Sequence, residues 1–165
     1  MCPPTILTMR IERIEASKHQ RGRVLLFLDD GSILKATEQE VLDFRLRAGD
    51  LLGAEAVEHL RDAAAVSAAK SAAAALIGRR AMSRADLEKK LREKGTSVQE
   101  AAYAAEWLEA IGALNDAEYA ALLVRHCAQL GYGPARYRQE LQKHGIDRER
   151  WEEACSAAPE PRALA

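Results

Sequence analysis

Aromatic residues, cysteine and long apolar runs are all scarce in this chain of 165 residues. Its three cysteines show neither a CxxC spacing nor a paired framework, which argues against a disulfide scaffold or zinc site and favours a reducing, cytoplasmic location. The first nine residues lack a cationic start followed by an apolar core, so no signal peptide is predicted. The alanine-rich run at 63–77 is broken by serine and lysine, and we interpret it as a soluble helix and not a membrane span.

The chain is instead rich in alanine, leucine, glutamate and arginine. Hydrophobic residues account for 48% of the chain and charged residues for 30%, which predicts a folded protein. The composition, with few glycines, favours helices. The formal net charge is only -1, so the overall charge says nothing about a nucleic-acid partner, whereas local charge remains informative.

Strand signals are confined to the N-terminal third of the chain. The predicted strands lie at 9–14, 23–28 and 32–37. Between the last two, Asp29-Asp30-Gly31 supplies the positive φ angles that a tight hairpin needs. Thr37 and Glu40 then form a capping box, which predicts a helix from 38 to about 46 before Gly49.

From residue 54 onward the sequence predicts helix after helix. Ser83 is a predicted N-cap, and Ser97 and Asn115 each begin a predicted capping box with the glutamate three residues later. Pro134 fits the first turn of a further helix. Asp147 is predicted to cap the last one. The predicted helices span residues 55–79, 83–95, 97–111, 115–131, 134–145 and 147–157.

The helical part repeats after about 50 residues. SRADLEKKLREKG (83–95) aligns with GPARYRQELQKHG (133–145), and the helices on either side align as well. In each copy the two apolar positions are four apart and therefore share one helix face. This pattern predicts two copies of a three-helix unit that bury one face against a neighbour and form an elongated, curved body.

The predicted fold is therefore mainly α, with tandem three-helix repeats after a small segment that contains a β-hairpin. The predicted organisation is a disordered lead (1–8), a β-rich segment with one helix (9–53), a first repeat (54–112), a second repeat (113–157) and a frayed tail (158–165). The chain is expected to be a monomer.

Basic residues concentrate on the middle helix of each predicted repeat and its entry loop. Residues 78–94 hold seven basic and three acidic groups, and residues 125–150 hold six and three. Residues 95–124 hold five acidic groups and no lysine or arginine. The basic groups either form a solvated face with i,i+4 pairs or contact phosphates or an acidic protein surface. Because the excess occurs in both copies, we favour the second interpretation.

The candidate partner-binding and nucleic-acid-binding residues are these basic groups together with one loop tyrosine. They are Arg79, Arg80, Arg84, Lys89, Lys90, Arg92, Tyr132, Arg136, Arg138 and Lys143. Tyr132 lies between two glycines and is the best candidate for base stacking. The other tyrosines and Trp107, at helical spacing, are predicted to be core residues.

No pattern predicts catalysis, a cofactor or a metal site. Adjacent His126 and Cys127 face different directions on a helix and are interpreted as structural. The turn explains Asp29-Asp30. The sequence contains no phosphate-binding glycine loop, HExxH motif or nucleophile elbow, so an enzyme is not expected.

Three stretches resemble the bacterial RecX family, regulators of the recombinase RecA. They are GYGPARYRQELQKHGID (131–147), SRADLEKKLREKG (83–95) and LNDAEYAALLVRH (114–126). IGALNDAEYA (111–120) matches the G-x-L/I-x-D-x-x-[YF] element that follows the family's middle helix. The hairpin and EVLDFRLRAGDLL (40–52) resemble the β-rich segment that some members carry.

The resemblance implies a protein that acts by binding. Family members lodge in the helical groove of the RecA–DNA filament and damp filament growth, strand exchange and ATP hydrolysis. The implied partners are the RecA filament and single- or double-stranded DNA, without a membrane or cofactor. The family usually has three three-helix units and this chain shows two, so it is expected to be a short or truncated member. The alternative is a helical DNA-binding module that acts through its basic helices without RecA.

Overall fold

The computed structural model describes residues 8–159 and divides into two compact units, 1–68 and 69–165. Residues 1–7 and 160–165 lie outside the described residues, and with them most of the predicted lead and tail. The described part is mainly helical with a small N-terminal sheet, as predicted. Its elements are β1 (Thr8–Ala16), β2 (Arg23–Leu28), β3 (Ile33–Thr37), α1 (Glu38–Asp43), β4 (Leu51–Gly53), α2 (Ala54–Arg79), α3 (Arg84–Glu93), α4 (Val98–Ala110), α5 (Asp116–Gln129), α6 (Pro134–Lys143) and α7 (Trp151–Ser156).

The N-terminal unit contains a four-stranded antiparallel sheet in the order β3-β2-β1-β4. Its inner face follows the alternation of β2, in which Val24, Leu26 and Leu28 are buried. Val24 and Leu26 lie opposite Ala36 and Leu34 of β3, which are also buried. This cross-strand pairing of apolar residues fixes the register of the sheet.

Strand β4 was not predicted. It has only three residues, and it forms because the first part of β1 offers a free edge: Met9 pairs with Leu52 and Arg10 with Leu51. The register of β1 against β2 shifts between Ile11 and Arg13, so the strand carries a bulge there. Neither β4 nor the bulge in β1 leaves a distinct signal in the sequence, because each depends on which other strand pairs with β1 at that point.

The β2–β3 hairpin is present, but its turn differs from the one predicted. Gly31 has a φ of +85°, whereas Asp30 is not among the residues with positive φ. The Leu28 N–H donates to the Ser32 carbonyl at 2.9 Å, and the Gly31 N–H donates to the Leu28 carbonyl at 3.1 Å. The expectation of positive φ at both Asp and Gly is therefore wrong, since the loop has three residues and only its glycine is left-handed.

Helix α1 begins as predicted and ends earlier than predicted. The capping box of Thr37 and Glu40 is confirmed. The buried Glu40 carboxylate also accepts a hydrogen bond from the Ser67 hydroxyl at 2.6 Å. The helix stops at Asp43, three residues short of 46, because Arg45 takes a φ of +51° and turns the chain so that Leu46 enters the core.

The second unit contains two clusters of buried side chains, one among α2, α3 and α4 and the other among α5, α6 and α7. Leu87 and Leu91 of α3 are fully buried in the first cluster. A shift of 50 residues takes them to Tyr137 and Leu141 of α6, which are buried in the second. The apolar pairs that suggested a repeat are thus both buried, one in each cluster.

The helix caps agree with the predictions in part. Ser83 caps α3, and the Ser97 capping box of α4 is present. Asn115 accepts from the N–H groups of Ala117 and Glu118, but α5 has no reciprocal bond of a capping box within the described residues. Asp147 makes no side-chain cap, contrary to prediction. A 3-10 turn precedes α7, and the Trp151 Nε1–H, which donates to the Ile146 carbonyl at 2.8 Å, holds this turn against the end of α6.

The two clusters meet at a joint formed by Ser83, Asp86, His144 and Gly145. The Ser83 hydroxyl donates to the His144 carbonyl at 2.5 Å while accepting from the Asp86 N–H at 3.1 Å. The His144 Nδ1 lies 2.6 Å from the Asp86 Oδ2. Ser83 is fully buried, so each of its bonds replaces one that water would otherwise make.

Gly145 gives the joint its close approach. It follows α6 with a φ of +69°, and a β-carbon placed on it would lie 2.5 Å from the β-carbon of Ala85. Gly95 occupies the equivalent place after α3 with a φ of +97°, but nothing lies within 4 Å of its β position. Only the first of these glycines is required by both its dihedral angle and its neighbours.

We therefore expect Gly145→Ala to destabilise the protein more than Gly95→Ala. Both substitutions lower the free energy of unfolding by about 1–2 kcal/mol, because they place a side chain in the left-handed region. Gly145→Ala lowers it by roughly 1–3 kcal/mol more, because the new methyl group overpacks against Ala85. Urea unfolding of both variants measures the difference. Equal losses of unfolding free energy would contradict the close approach.

The joint also predicts that Ser83→Ala costs more than Ser97→Ala. Both variants lose an N-cap, which is typically worth about 1 kcal/mol. Ser83→Ala in addition leaves the part-buried His144 carbonyl without its donor, at a further cost of roughly 1–3 kcal/mol. Thermal unfolding of the two variants gives the comparison, and Ser97, which is exposed, serves as the control.

Candidate functional site

Helix α3 holds its basic side chains by burying its opposite face. Leu87 and Leu91 are fully buried, so Lys89 and Arg92 project away from the core. Lys89 and Lys90 are exposed and form no ion pair with any residue between 8 and 159. The Arg92 Nε–H donates only to the Glu88 carbonyl, at 3.4 Å. These cations are free to meet an anionic partner.

Arg84, at the start of α3, is occupied within the chain. Its Nε lies 2.9 Å from a Glu88 carboxylate oxygen, and its terminal nitrogens lie 3.1 Å from Glu109 and 3.7 Å from Glu106. The hydrogen bond to Glu88 and the charges of the other two glutamates raise the pKa of the guanidinium. Arg84 thus ties α3 to the acidic helix α4, and its charge is locally neutralised.

Helix α6 presents three exposed cations. Tyr137 and Leu141 face the core, whereas Arg136, Arg138 and Lys143 are exposed. Arg136 and Lys143 are seven residues apart, so they lie on one face about 10 Å apart along the axis. Arg136 pairs with Glu140 at 3.2 Å, and its guanidinium lies 5.2 Å from the centre of the Tyr132 ring.

The basic excess recurs in α3 and α6, but not position by position. The 50-residue shift that superimposes the apolar pairs places Arg136 on Asp86, Arg138 on Glu88 and Lys143 on Glu93. The two helices therefore share a buried face and differ in how their charges are distributed around the exposed one.

Arg79 and Arg80 lie exposed at the C-terminal end of α2 and just beyond it. Arg80 lines a cleft of about 610 Å³ with Arg125 of α5. Arg125 is a basic residue that the sequence analysis did not select, because it precedes α6. The sequence contains no signal for it, because the exposure of Leu122, which lines the same cleft, is seen only in the structure.

The remaining aromatic and cysteine predictions have mixed outcomes. Tyr119 and Tyr137 are buried as predicted, and burial raises the pKa of the Tyr119 hydroxyl. Tyr103 is 51% exposed, contrary to prediction, and lies under the Lys70 ammonium at 5.1 Å, an interaction that an exposed ring can keep in water. Burial likewise raises the pKa of the Cys127 thiol.

Neither a metal centre nor a membrane helix is evident in the described chain. No three His, Cys, Asp or Glu side chains between 8 and 159 come together as metal ligands. No helix in this range combines the length and the apolar character that crossing a bilayer requires.

Comparison with known proteins shows that the chain is similar to bacterial proteins named regulatory protein RecX. Residues 115–154 match the family described as RecX, second three-helix domain. The regulatory protein RecX of Lactobacillus delbrueckii subsp. bulgaricus is 30% identical over 138 residues, which are 83% of this chain and 51% of the relative. That of Xanthomonas oryzae pv. oryzae is 42% identical over 83 residues, 50% of this chain and 49% of the relative. The chain spans about half the length of the curated relatives it matches.

Solved structures give the same result. A crystal structure of regulatory protein RecX superimposes with a TM-score of 0.73 at 26% identity, over 90% of this chain and 73% of the other. The structure of RecX from Lactobacillus salivarius gives a TM-score of 0.52 at 26% identity, over 55% and 59%. The predicted resemblance is therefore confirmed: the chain is related to the bacterial RecX regulatory proteins, and residues 115–154 match their second three-helix domain.

Proposed function

We propose that this protein binds RecA or RecA–DNA filaments in the cytoplasm and inhibits their recombinase activity. The observation that carries the proposal is the similarity to proteins named regulatory protein RecX over 83% of this chain. The exposed cations of α3 and α6 support it, because a nucleoprotein filament presents phosphates and acidic side chains to a groove-bound protein.

The proposed architecture is two tandem three-helix repeats, 54–112 and 113–157, after a β-rich segment at 9–53. Two separate buried clusters and the equivalent apolar pairs of α3 and α6 support the repeat. The joint supports a fixed arrangement of the two helices, because Ser83 bonds α3 directly to the end of α6.

The proposed contact surface comprises the exposed basic residues of the helical unit, including Arg136, which also pairs with Glu140. It is formed by Arg79, Arg80, Lys89, Lys90, Arg92, Arg125, Arg136, Arg138 and Lys143. Arg84 is better explained as a structural residue, because three carboxylates surround it. Inhibition by this surface requires no reacting group. A protein that binds one state of the filament more tightly than another shifts the equilibrium between the two states toward the one it prefers, by the difference between its two binding free energies.

We expect stoichiometric amounts of the protein to lower the ATPase rate of RecA on single-stranded DNA. The double variant Arg136→Glu and Arg138→Glu should need at least about tenfold more protein for the same effect, since roughly 1.4 kcal/mol of lost binding is tenfold in affinity. Lys18→Glu with Arg21→Glu is the control, because it changes the net charge equally on exposed residues of the β1–β2 loop. An unchanged ATPase rate at low and moderate salt would refute the proposal.

The alternative, a DNA-binding module that acts without RecA, predicts tight and salt-dependent binding to DNA alone. If about six cations met single-strand phosphates, the logarithm of affinity would fall with that of salt with a slope of roughly −4. We expect instead weaker binding to bare DNA than to RecA-coated DNA. Fluorescence anisotropy of a labelled oligonucleotide, with and without RecA, measures both; equal affinities would favour the alternative.

A further inference from the structure

We propose that the cavity beside the α5–α6 loop, here called the base pocket, receives one nucleobase of a single-stranded nucleic acid. The proposal rests on the proposed function in one respect: it assumes that the target of the protein contains a nucleic acid. It assigns a specific subsite to that contact, whereas the basic surface by itself would read only phosphates.

The base pocket has the size and chemistry of a site for a flat, uncharged ring. Its volume is about 660 Å³, within the range of roughly 300–1,000 Å³ that is typical of small-molecule sites. Among the described residues, no charged side chain lines it. Its lining residues are Ala128, Gly131, Tyr132, Gly133, Pro134, Tyr137, Cys155, Ser156, Ala158 and Pro159.

Tyr132 supplies the stacking surface. Its ring is 48% exposed, and its backbone is anchored by an N–H bond to the Cys127 carbonyl at 3.0 Å. Gly131 turns the chain at a φ of +84° just before it. The tyrosine therefore projects from a fixed backbone at the end of α5 into solvent, an orientation that a stacking residue requires.

Arg136 supplies the charge for the phosphate that accompanies the base. Its guanidinium lies 5.2 Å from the centre of the Tyr132 ring. Arg136 can therefore bind the phosphate while Tyr132 stacks on the base of the same nucleotide. Its pairing with Glu140, at 3.2 Å, leaves the Arg136 side chain 48% exposed although Glu140 is only 17% exposed, so the guanidinium remains accessible to a phosphate from solvent. A nucleotide thus matches the pocket in both of its parts.

Tyr103 shows why exposure and a nearby cation are not sufficient. It is also about half exposed, and Lys70 lies over its ring. Its neighbours one turn away on α4, however, are Glu100 and Glu106, which repel phosphate. Tyr103 also lines none of the clefts described above. It is therefore the matched control for Tyr132.

The base pocket is expected to accept any base. Stacking on an aromatic ring is tolerant of sequence because every base has a π face. Among the pocket's side chains only Tyr137, Ser156 and Tyr132 carry hydroxyl groups that could read a base edge. An apolar side chain of a protein partner is the competing occupant, and it would show no dependence on bases.

The test compares an oligo(dT) strand with an abasic strand of equal length and charge, by anisotropy without RecA. We expect the wild-type protein to bind oligo(dT) about five- to a hundredfold more tightly, the range that stacking of one base supplies. Tyr132→Ala should abolish this preference, whereas Tyr132→Phe and Tyr103→Ala should keep it. Arg136→Gln should weaken binding to both strands alike and reduce the salt slope.

Equal binding of the two strands by the wild-type protein, or no binding of either, would overturn the base pocket. A preference that persists in Tyr132→Ala, with its thermal unfolding unchanged, would overturn it as well. The RecA ATPase assay separates this outcome from the proposed function: inhibition without base preference rejects only the pocket, and base preference without inhibition rejects only the filament role.

Discussion

The close approach of the first turn of α3 to the end of α6 is the constraint on which the helical unit depends. Ser83, which is fully buried, is a cap for one helix and a donor to the residue that follows the other, through two part-buried hydrogen bonds. The missing side chain of Gly145 provides the space beside Ala85. Any residue with a β-carbon would push the helices apart and leave the polar groups of the joint unpaired.

Charged residues at the start of α3 have partners within the chain, and this distinguishes them from the other basic residues of α3 and α6. Arg84 and Asp86, at the beginning of α3, are engaged by Glu88 and by His144. Among residues 8–159, Lys89, Lys90 and Arg138 form no ion pair, whereas Arg136 pairs with the partly buried Glu140. The charged residues thus fall into two groups: one holds the helices in place, and the other faces solvent, where it is available for the proposed contact with an anionic filament.

A regulator that works by occupying a filament groove needs a stable surface more than a reactive site. Buried apolar pairs on α3 and α6 fix the backbone from which the exposed cations extend. The proposed base pocket adds a contact that phosphate binding alone does not give. A base can stack on the tyrosine only where the strand is single and accessible, so this contact would distinguish single-stranded from double-stranded DNA. Electrostatic attraction and stacking would then contribute separately, one sensitive to salt and the other much less so.

The sequence by itself determined the helical class, the hairpin, most helix boundaries and the apolar pairs Leu87–Leu91 and Tyr137–Leu141. These depend on local periodicity and on caps such as Thr37 and Ser97, whose partners lie within four residues. It could not determine the strand β4, which depends on the edge of β1, or the early end of α1, where Arg45 turns the chain so that Leu46 enters the core. It also did not predict the exposure of Tyr103, because helical spacing alone does not show which residues the other helices cover. The division of the basic residues into Arg84, which is paired, and Lys89 and Arg138, which are free, likewise came only from the tertiary structure. A charge's availability depends on which carboxylates folding brings within about 4 Å of it, and the sequence does not contain that distance.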